Sequence, residues 1–392
     1  REARREVEKA RALLDLWIAE PLGLAGARDD VWAAAEAIGE GRYPAVVGPA
    51  QDLAGRYRAF HWPLEFPEVF AGERAGFDAV VGNPPWEEVT LEELAFYARY
   101  QPGLRGLAAA GRERALAELQ ARCPELEGRY RAELEETAAL QRYFGGGTGY
   151  EGGAGDPDLY KFFCQRYRRV LASGGALAVV LPRSAFSTKG STDFRRWLFG
   201  RSTVRRLDFL LNTGRWAFDA EPRYTSALVV ADATPPFDQH GIEVAGVADS
   251  TARFLQQSAA PGLRLAPESL GPLLEVPLLP SQEAADVLAK LRNGGPFPFG
   301  SGRWRCFPVA EFHETKDKEL WNGKRDGREL WKGESFDQFD PHGAEARRCP
   351  ASGEALAKQR KPNPGKDSLL AAQLTRAERA AAAERELEGA RL

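Results

Sequence analysis

A tetrapeptide that follows one apolar run offers the clearest chemistry in this sequence. Residues 77–82 form an apolar run that ends in glycine, and Asn83-Pro84-Pro85-Trp86 follows directly. The pattern predicts a buried strand that ends in a stiff turn, because each proline fixes φ and removes a backbone donor. Open α/β sheets bind ligands beyond the carboxyl ends of their strands. The side-chain carbonyl and a free backbone carbonyl give two acceptors beside an indole face, which suits a planar ring with an exocyclic amine.

Two stretches carry a resemblance to a known family. Asn83-Pro84-Pro85-Trp86 resembles the catalytic tetrapeptide of DNA methyltransferases that methylate amino groups with S-adenosylmethionine. The lead-in, Phe60-His61-Trp62-Pro63-Leu64-Glu65-Phe66-Pro67-Glu68-Val69-Phe70 followed by Gly76-Phe77-Asp78, resembles that of adenine-specific enzymes in the Eco57I-like, type IIG restriction-modification group. Methyltransferases of RNA or of protein glutamine share the bare tetrapeptide and stay open as alternatives. A non-catalytic DNA-binding subunit of a defence complex is a third reading.

The resemblance implies catalytic roles for the tetrapeptide. Asn83 Oδ1 and the Pro84 carbonyl would accept the two N–H groups of adenine N6 and stabilise the charge that develops as the methyl group arrives. Pro85 would stiffen the turn. Asn83 would also touch the methyl-donor end of S-adenosylmethionine, the implied cofactor. A simple strand-ending turn is the competing explanation of the same residues.

The resemblance further implies that double-stranded DNA is the partner and that the target adenine is flipped out of the duplex and held by stacking. Trp86 is the expected first stacking plate. Phe218, in the loop before the last strand, is the expected second, with Tyr224 as the fallback. An ordinary core or hairpin-loop aromatic explains Phe218 equally well.

Asp156 and Tyr160 are the other expected cofactor contacts. Both fall where the family lines its cofactor and base pocket, as does the turn Leu181-Pro182-Arg183-Ser184. Asp156 is more simply explained as a helix N-cap, since Pro157 follows it. His61 is expected to be packed rather than catalytic.

The order of predicted elements favours an α/β fold. We predict helices near residues 2–20, 30–39, 158–171, 191–199 and 281–292, and strands at 77–81, 176–181, 204–211 and 225–231. This alternation is typical of a doubly wound, mostly parallel sheet. The family resemblance specifies a sheet of the S-adenosylmethionine-dependent methyltransferase type, incomplete at its N-terminus. Its last two strands should form a hairpin, with one strand antiparallel to the rest.

The predicted domain organisation has four parts. They are a helical lead-in (1–75), a catalytic core (76–235) with a helical insertion (90–155), a connector (236–300), and the truncated start of a target-recognition region (301–392). The glycine-rich stretch 145–155 follows a helical segment rather than a strand, so a flexible connector is favoured over a phosphate loop. Within the last part, residues 329–340 resemble the start of the recognition region, 358–366 hold a small basic cluster, and 369–392 read as a helix.

Composition narrows the function classes. The 392 residues carry a net charge of −3, so DNA binding would need local basic patches rather than a global field. No apolar run is long enough to span a membrane, and the first residues are not a signal peptide. The four cysteines are scattered, which predicts a cytoplasmic protein with neither a disulfide framework nor a metal site.

Two features of the sequence lead us to expect a fragment. The chain contains no methionine, even at position 1, and residues 1–76 hold no Phe-x-Gly-x-Gly cofactor motif. A methyltransferase is therefore expected to be inactive as this isolated chain. Other subunits of a restriction or defence system are further candidate partners.

Overall fold

The computed structural model describes residues 2–29, 31–145, 150–151, 155–219, 225–236, 241–279, 281–293, 328–330 and 347–349. The chain divides into two compact units, residues 1–293 and 294–392. The first unit holds the predicted catalytic residues.

Three helices and two short helical turns precede the sheet. They are α1 (Glu2–Ala19), α2 (Val31–Gly39), α3 (Val47–Arg56), α4 (Trp62–Glu65) and α5 (Pro67–Phe70). Leu16, Ile38 and Ala50 are buried together where α1, α2 and α3 meet. The rings of Trp62 and Phe66 pack edge-on against Phe77, with centroids 5.8 and 5.4 Å away. These aromatic contacts fix the start of the first strand.

Six strands form one sheet. They are β1 (Phe77–Gly82), β2 (Leu171–Pro182), β3 (Thr203–Leu211), β4 (Thr225–Asp232), β5 (Ile242–Ala248) and β6 (Leu263–Leu265). Their order in space is β1-β2-β4-β3-β5-β6. The pairs β1–β2 and β3–β5 are parallel, whereas β4 is antiparallel to both of its neighbours and β6 is antiparallel to β5. Four strands therefore share one direction. The predicted α/β class with a mostly parallel sheet is confirmed, and so is the hairpin of β3 and β4.

Helices after β1 supply an insertion and one face of the core. They are α6 (Glu93–Ala98), α7 (Ala109–Arg122), α8 (Glu125–Gly145), α9 (Leu159–Val170), α10 (Ser184–Ser187), α11 (Thr192–Arg201), α12 (Thr251–Ser258) and α13 (Gln282–Asn293). The insertion has its own small core around Phe96, Tyr97 and Leu119. Every second residue of a strand is buried in the main core, as Leu177, Val179 and Leu181 of β2 are, because successive strand residues face opposite sides of the sheet.

The predicted connector needs a correction. Residues 236–300 contain β5 and β6, and β5 pairs in parallel with β3, so part of this segment belongs to the sheet. The proline- and glycine-rich flanks hide these short strands in the sequence. Ile242 and Val244 of β5 are buried, and only the pairing of β5 with β3 identifies them as part of the sheet.

β1 lies at the edge of the sheet. Among the described residues it pairs with β2 alone, and Val81 is 81% exposed. The strand was predicted correctly, but the prediction that it is buried is wrong: none of its residues is buried, because one edge has no neighbouring strand among the described residues. In the second unit, the described residues form one antiparallel pair, β7 (Arg328–Leu330) with β8 (Arg347–Cys349). Several predicted features lie outside the described residues: positions 331–340 of the segment 329–340, the basic cluster 358–366 and the helix 369–392. The same holds for positions 146–149 and 152–154 of the glycine-rich stretch. No helix in the described ranges is long and apolar enough to cross a membrane.

Candidate active site

The Asn-Pro-Pro-Trp turn begins where β1 ends. Asn83 is exposed and Pro84 is buried. Trp86 is partly buried against the main core, and its indole N–H donates to the carbonyl of Val180 in β2 at 3.4 Å. The indole is therefore fastened to the neighbouring strand, which fixes the direction of its ring.

A short antiparallel contact ties this turn to the start of α9. The backbone N–H of Val89 donates to the Pro157 carbonyl at 2.9 Å, and that of Leu159 donates to the Glu87 carbonyl at 2.8 Å. Between them, Glu88 and Asp158 form an isolated bridge. Although about 70 residues of insertion separate the two segments in the sequence, the fold makes them one structural piece.

A cavity of about 640 Å³ opens at this point. Its walls come from the carboxyl ends of β1 and β2 and from the amino end of β4, because β4 runs in the opposite direction. The backbone N–H of Arg183 donates to the Thr225 carbonyl at 2.9 Å and closes one side. The lining residues are Trp86, Glu87, Asp158, Tyr160, Pro182, Arg183, Ser184, Ser187 and Thr225.

The cavity is lined by several of the predicted site residues and by others that were not predicted. Trp86, Tyr160 and the turn 182–184 share it, as the resemblance implies. Glu87 and Asp158 were not predicted. The signal for Asp158 was present, since the residue stands two positions after Asp156 at the start of a helix. For Glu87, nothing in the sequence separates it from any acidic residue in a loop.

Lys161 holds one wall of the cavity in place, and sequence reasoning did not find it. Its side chain is fully buried and forms an ion pair with Asp158 at 2.9 Å. Its ammonium also donates to the carbonyls of Asp156 at 2.6 Å and Gly190 at 2.8 Å. The loop before α9 and the loop before α11 are thereby joined. Their approach is so close that a Cβ at Gly190 would overlap the Asp156 carboxylate.

The N-cap explanation of Asp156 is wrong. α9 begins at Leu159, with Asp158 in the N-cap position, and no side chain caps it. The backbone N–H of Asp158 donates to the Asp156 carbonyl at 2.9 Å, so the chain makes a tight turn before the helix starts. Asp156 is exposed and is not among the residues that line the cavity. Its role at the cofactor stays a prediction.

Tyr160 is a buried wall of the cavity. Its hydroxyl is hydrogen-bonded to Ser191 Oγ at 2.9 Å, and its ring meets Phe194 edge-on with centroids 5.5 Å apart. Burial raises the pKa of the Tyr160 phenol well above its usual value, so the group is neutral. With its hydroxyl engaged, Tyr160 offers the cavity chiefly an aromatic surface.

Phe218 sits in a loop that one asparagine organises. Asn212 is buried, and its Oδ1 accepts from the backbone N–H groups of Ala217 at 3.1 Å and Phe218 at 3.2 Å. Its Nδ2 donates to the Phe218 carbonyl at 2.7 Å. Neither Phe218 nor Asn83 is among the residues lining the cavity, so the second stacking plate stays a prediction. Tyr224 lies outside the described residues.

His61 is packed, as expected. It is 7% exposed, and its Nε2 lies 2.7 Å from Asp15 Oδ1 of α1. His61 joins α1 to the segment just before α4 and does not line the cavity beside Trp86. In the part of the chain that the structure describes, no group of three or more His, Cys, Asp or Glu side chains could hold a metal ion.

Comparison with known proteins places this geometry in context. Residues 27–104 match the family model of the Eco57I restriction-modification methylase, which confirms the resemblance drawn from the lead-in and the tetrapeptide. No curated protein matches the chain.

Two solved structures are similar at low level. One is a modification subunit assigned to a type I restriction enzyme from Vibrio vulnificus YJ016, with 14% identity and a TM-score of 0.26, over 45% of this chain and 27% of that one. The other is the M protein of the type I restriction enzyme EcoKI, with 19% identity and a TM-score of 0.20, over 60% of this chain and 42% of that one. The chain thus spans less than half the length of either structure, and neither likeness carries an argument about function.

Proposed function

We propose that this chain carries the catalytic turn of a site-specific DNA methyltransferase from a restriction-modification or phage-defence system, which transfers a methyl group from S-adenosylmethionine to N6 of a flipped adenine. One observation carries the proposal. The Asn-Pro-Pro-Trp turn leaves the carboxyl end of a parallel strand and places Trp86 in the wall of a cavity of about 640 Å³. The match of residues 27–104 to the restriction-modification methylase family supports the same class of reaction.

The residues of the turn suit this chemistry. The lone pair of an adenine amine is delocalised into the ring, so the nitrogen is a poor nucleophile. Acceptors at Asn83 Oδ1 and the Pro84 carbonyl would hold both N–H bonds, favour a tetrahedral nitrogen and offset its developing positive charge. No strong base is required. Correct alignment of the amine with the methyl group supplies the rest of the rate enhancement.

The cavity suits the reacting end of the cofactor. S-adenosylmethionine supplies an electrophilic methyl group on a positively charged sulfonium. The indole face of Trp86 and the carboxylate of Glu87 line the cavity, and both favour a cation. The Asp158 carboxylate is already paired with Lys161, and Arg183 adds one positive charge to the lining. We assign to Asn83, Asp156 and Tyr160 the contacts with the cofactor, and to Trp86 and Phe218 the stacking of the base.

The test is methyl transfer by the full-length protein. DNA, RNA and a glutamine-containing peptide are each incubated with labelled S-adenosylmethionine, and the modified group is identified by mass spectrometry. N6-methyladenine in DNA is the expected product. Label in RNA or in glutamine would show that the methyl acceptor is RNA or protein rather than DNA. DNA binding without transfer would indicate a non-catalytic subunit.

Two variants at one position make the test specific to the turn. Asn83→Ala removes an acceptor and should lower the transfer rate about 10²–10³-fold, the effect of losing one preorganised group. Asn83→Asp keeps an acceptor oxygen of nearly the same shape and should retain more activity than the alanine variant. Full activity of Asn83→Ala would refute the role given to this turn.

A further inference from the structure

A second cavity lies at the opposite end of β1 and β2. Its volume is about 570 Å³, and its walls include Phe70 and Val170. Phe70 packs on Phe77, the first residue of β1, at 5.7 Å, and Val170 immediately precedes β2. The candidate active site lies beyond the other ends of these strands. The length of β1, roughly 20 Å for six residues, therefore separates the two cavities.

The lining of this second cavity combines aromatic rings with positive charge. Seven Trp, Tyr and Phe side chains line it, among them Trp17, Tyr57 and Phe60. Four arginines also line it: Arg28, Arg58, Arg166 and Arg169. Among the described residues of the lining there is no Asp or Glu. Two carboxylates behind the wall are engaged elsewhere, because Asp15 contacts His61 and Glu20 accepts from the backbone N–H of Arg28.

Three of the arginines contact an aromatic ring in the wall or next to it. The guanidinium of Arg28 lies 4.4 Å from the Trp17 ring centroid, and that of Arg169 lies 4.7 Å from the Tyr150 ring. Arg166 donates to the Tyr150 hydroxyl at 3.3 Å. Tyr150 does not line the cavity itself, but its ring meets the lining residue Phe144 edge-on with centroids 5.2 Å apart, so the arginines support part of the aromatic wall before any ligand arrives.

Arg58 differs from the other three. It follows α3 with a φ of +51°, a conformation in which glycine is usual at a helix end because other residues adopt it at a cost. Its backbone N–H donates to the Gly55 carbonyl at 3.1 Å, so the turn itself is an ordinary helix termination. No hydrogen bond or ion pair joins its guanidinium to another of the described residues. A charged side chain therefore stands in a strained position at the wall of a cavity that has no anion of its own.

We infer that this cavity binds a nucleoside phosphate, with the base against the aromatic wall and the phosphate at Arg58. Aromatic rings stack on a nucleobase, and a guanidinium recognises phosphate through paired N–H donors. The cavity has the size and the mostly apolar lining of a small-ligand site. This site is separate from the proposed transfer reaction and does not depend on it.

The experiment is calorimetric titration of the 392-residue chain with AMP, ADP and ATP, and with adenosine and inorganic phosphate as half-ligands. A nucleotide should bind at least about tenfold more tightly than either half, because one charged hydrogen bond contributes a factor of this order. A short oligo-dT tests whether the nucleotide comes from a nucleic acid strand. Tighter binding of the oligonucleotide than of every free nucleotide would overturn the assignment, as would no nucleotide binding at millimolar concentration.

Arg58→Gly is the decisive variant. It removes the guanidinium and leaves the residue that the backbone conformation prefers, so the fold should be kept, as a thermal melt will show. Nucleotide affinity should fall about tenfold or more, the effect expected for the loss of a charged hydrogen bond. The matched control is Arg215→Gly, which also replaces an arginine with positive φ (57°) but does not line this cavity. Unchanged affinity in Arg58→Gly, or an equal loss in Arg215→Gly, would refute the site.

Discussion

Replacing Lys161 with methionine should destabilise the protein through the wall of the candidate active site. The buried ammonium makes three contacts at 2.6–2.9 Å, to the Asp158 carboxylate and to the carbonyls of Asp156 and Gly190. Methionine has a similar length and fills the same space, so the substitution removes the charge and its hydrogen bonds with little change in packing.

The size of the effect follows from what the substitution leaves behind. Removing one partner of a buried ion pair costs about 3–5 kcal/mol, since the other charge stays buried without compensation. Asp158 keeps 17% of its side chain exposed, so water partly solvates the orphaned carboxylate. We therefore expect a loss near the lower bound, about 3 kcal/mol in the free energy of unfolding.

Urea denaturation followed by tryptophan fluorescence measures this loss. The control is Lys290→Met, an exposed lysine on α13, which should change the free energy by no more than about 0.5 kcal/mol. Adding Asp158→Leu to Lys161→Met removes the orphaned charge and should recover part of the stability. A loss below about 1 kcal/mol for Lys161→Met, or no recovery in the double variant, would refute the idea that the buried Lys161 ammonium and its pairing with Asp158 stabilise this wall.

Substitutions at Trp86 and Gly76 and one ligand titration test other parts of the structure. Trp86→Ala should weaken retention of a flipped base by about 1–3 kcal/mol, whereas Trp86→Phe keeps a ring and should retain most function; equal 2-aminopurine emission from wild type and the alanine variant would count against stacking. Gly76→Ala should lower stability by roughly 1–3 kcal/mol in a thermal melt, because φ is +119° and the new Cβ would lie 2.5 Å from the Ala172 nitrogen. Gly72→Ala, with nothing within 4 Å of its Cβ, is the control and should not change the melt. Residues 1–392 alone should bind S-adenosylmethionine weakly in calorimetry, since the sequence before the turn has no glycine-rich cofactor motif; micromolar affinity would contradict this.

Elements with strong local signals could be predicted from the sequence. The apolar run before Asn83 predicts β1 because apolar β-branched residues and a Gly-Asn-Pro-Pro stop act within a few residues of each other. The helices of the insertion follow from the same kind of local composition. The packed state of His61 and the hairpin of β3 and β4 were also expected, and the structure has both.

Long-range contacts decided the rest. The turn before α9 is held by the Lys161 ammonium, which donates to the carbonyls of Asp156 and Gly190, and helix-capping rules do not contain such contacts. β5 becomes a strand of the sheet because β3 offers it a parallel edge. The Asn-Pro-Pro-Trp tetrapeptide can be read from the sequence, but the cavity beside it cannot. Glu87, Asp158, Ser187 and Thr225 meet only because three strand ends converge, and convergence depends on the direction of β4 rather than on any residue in the motif.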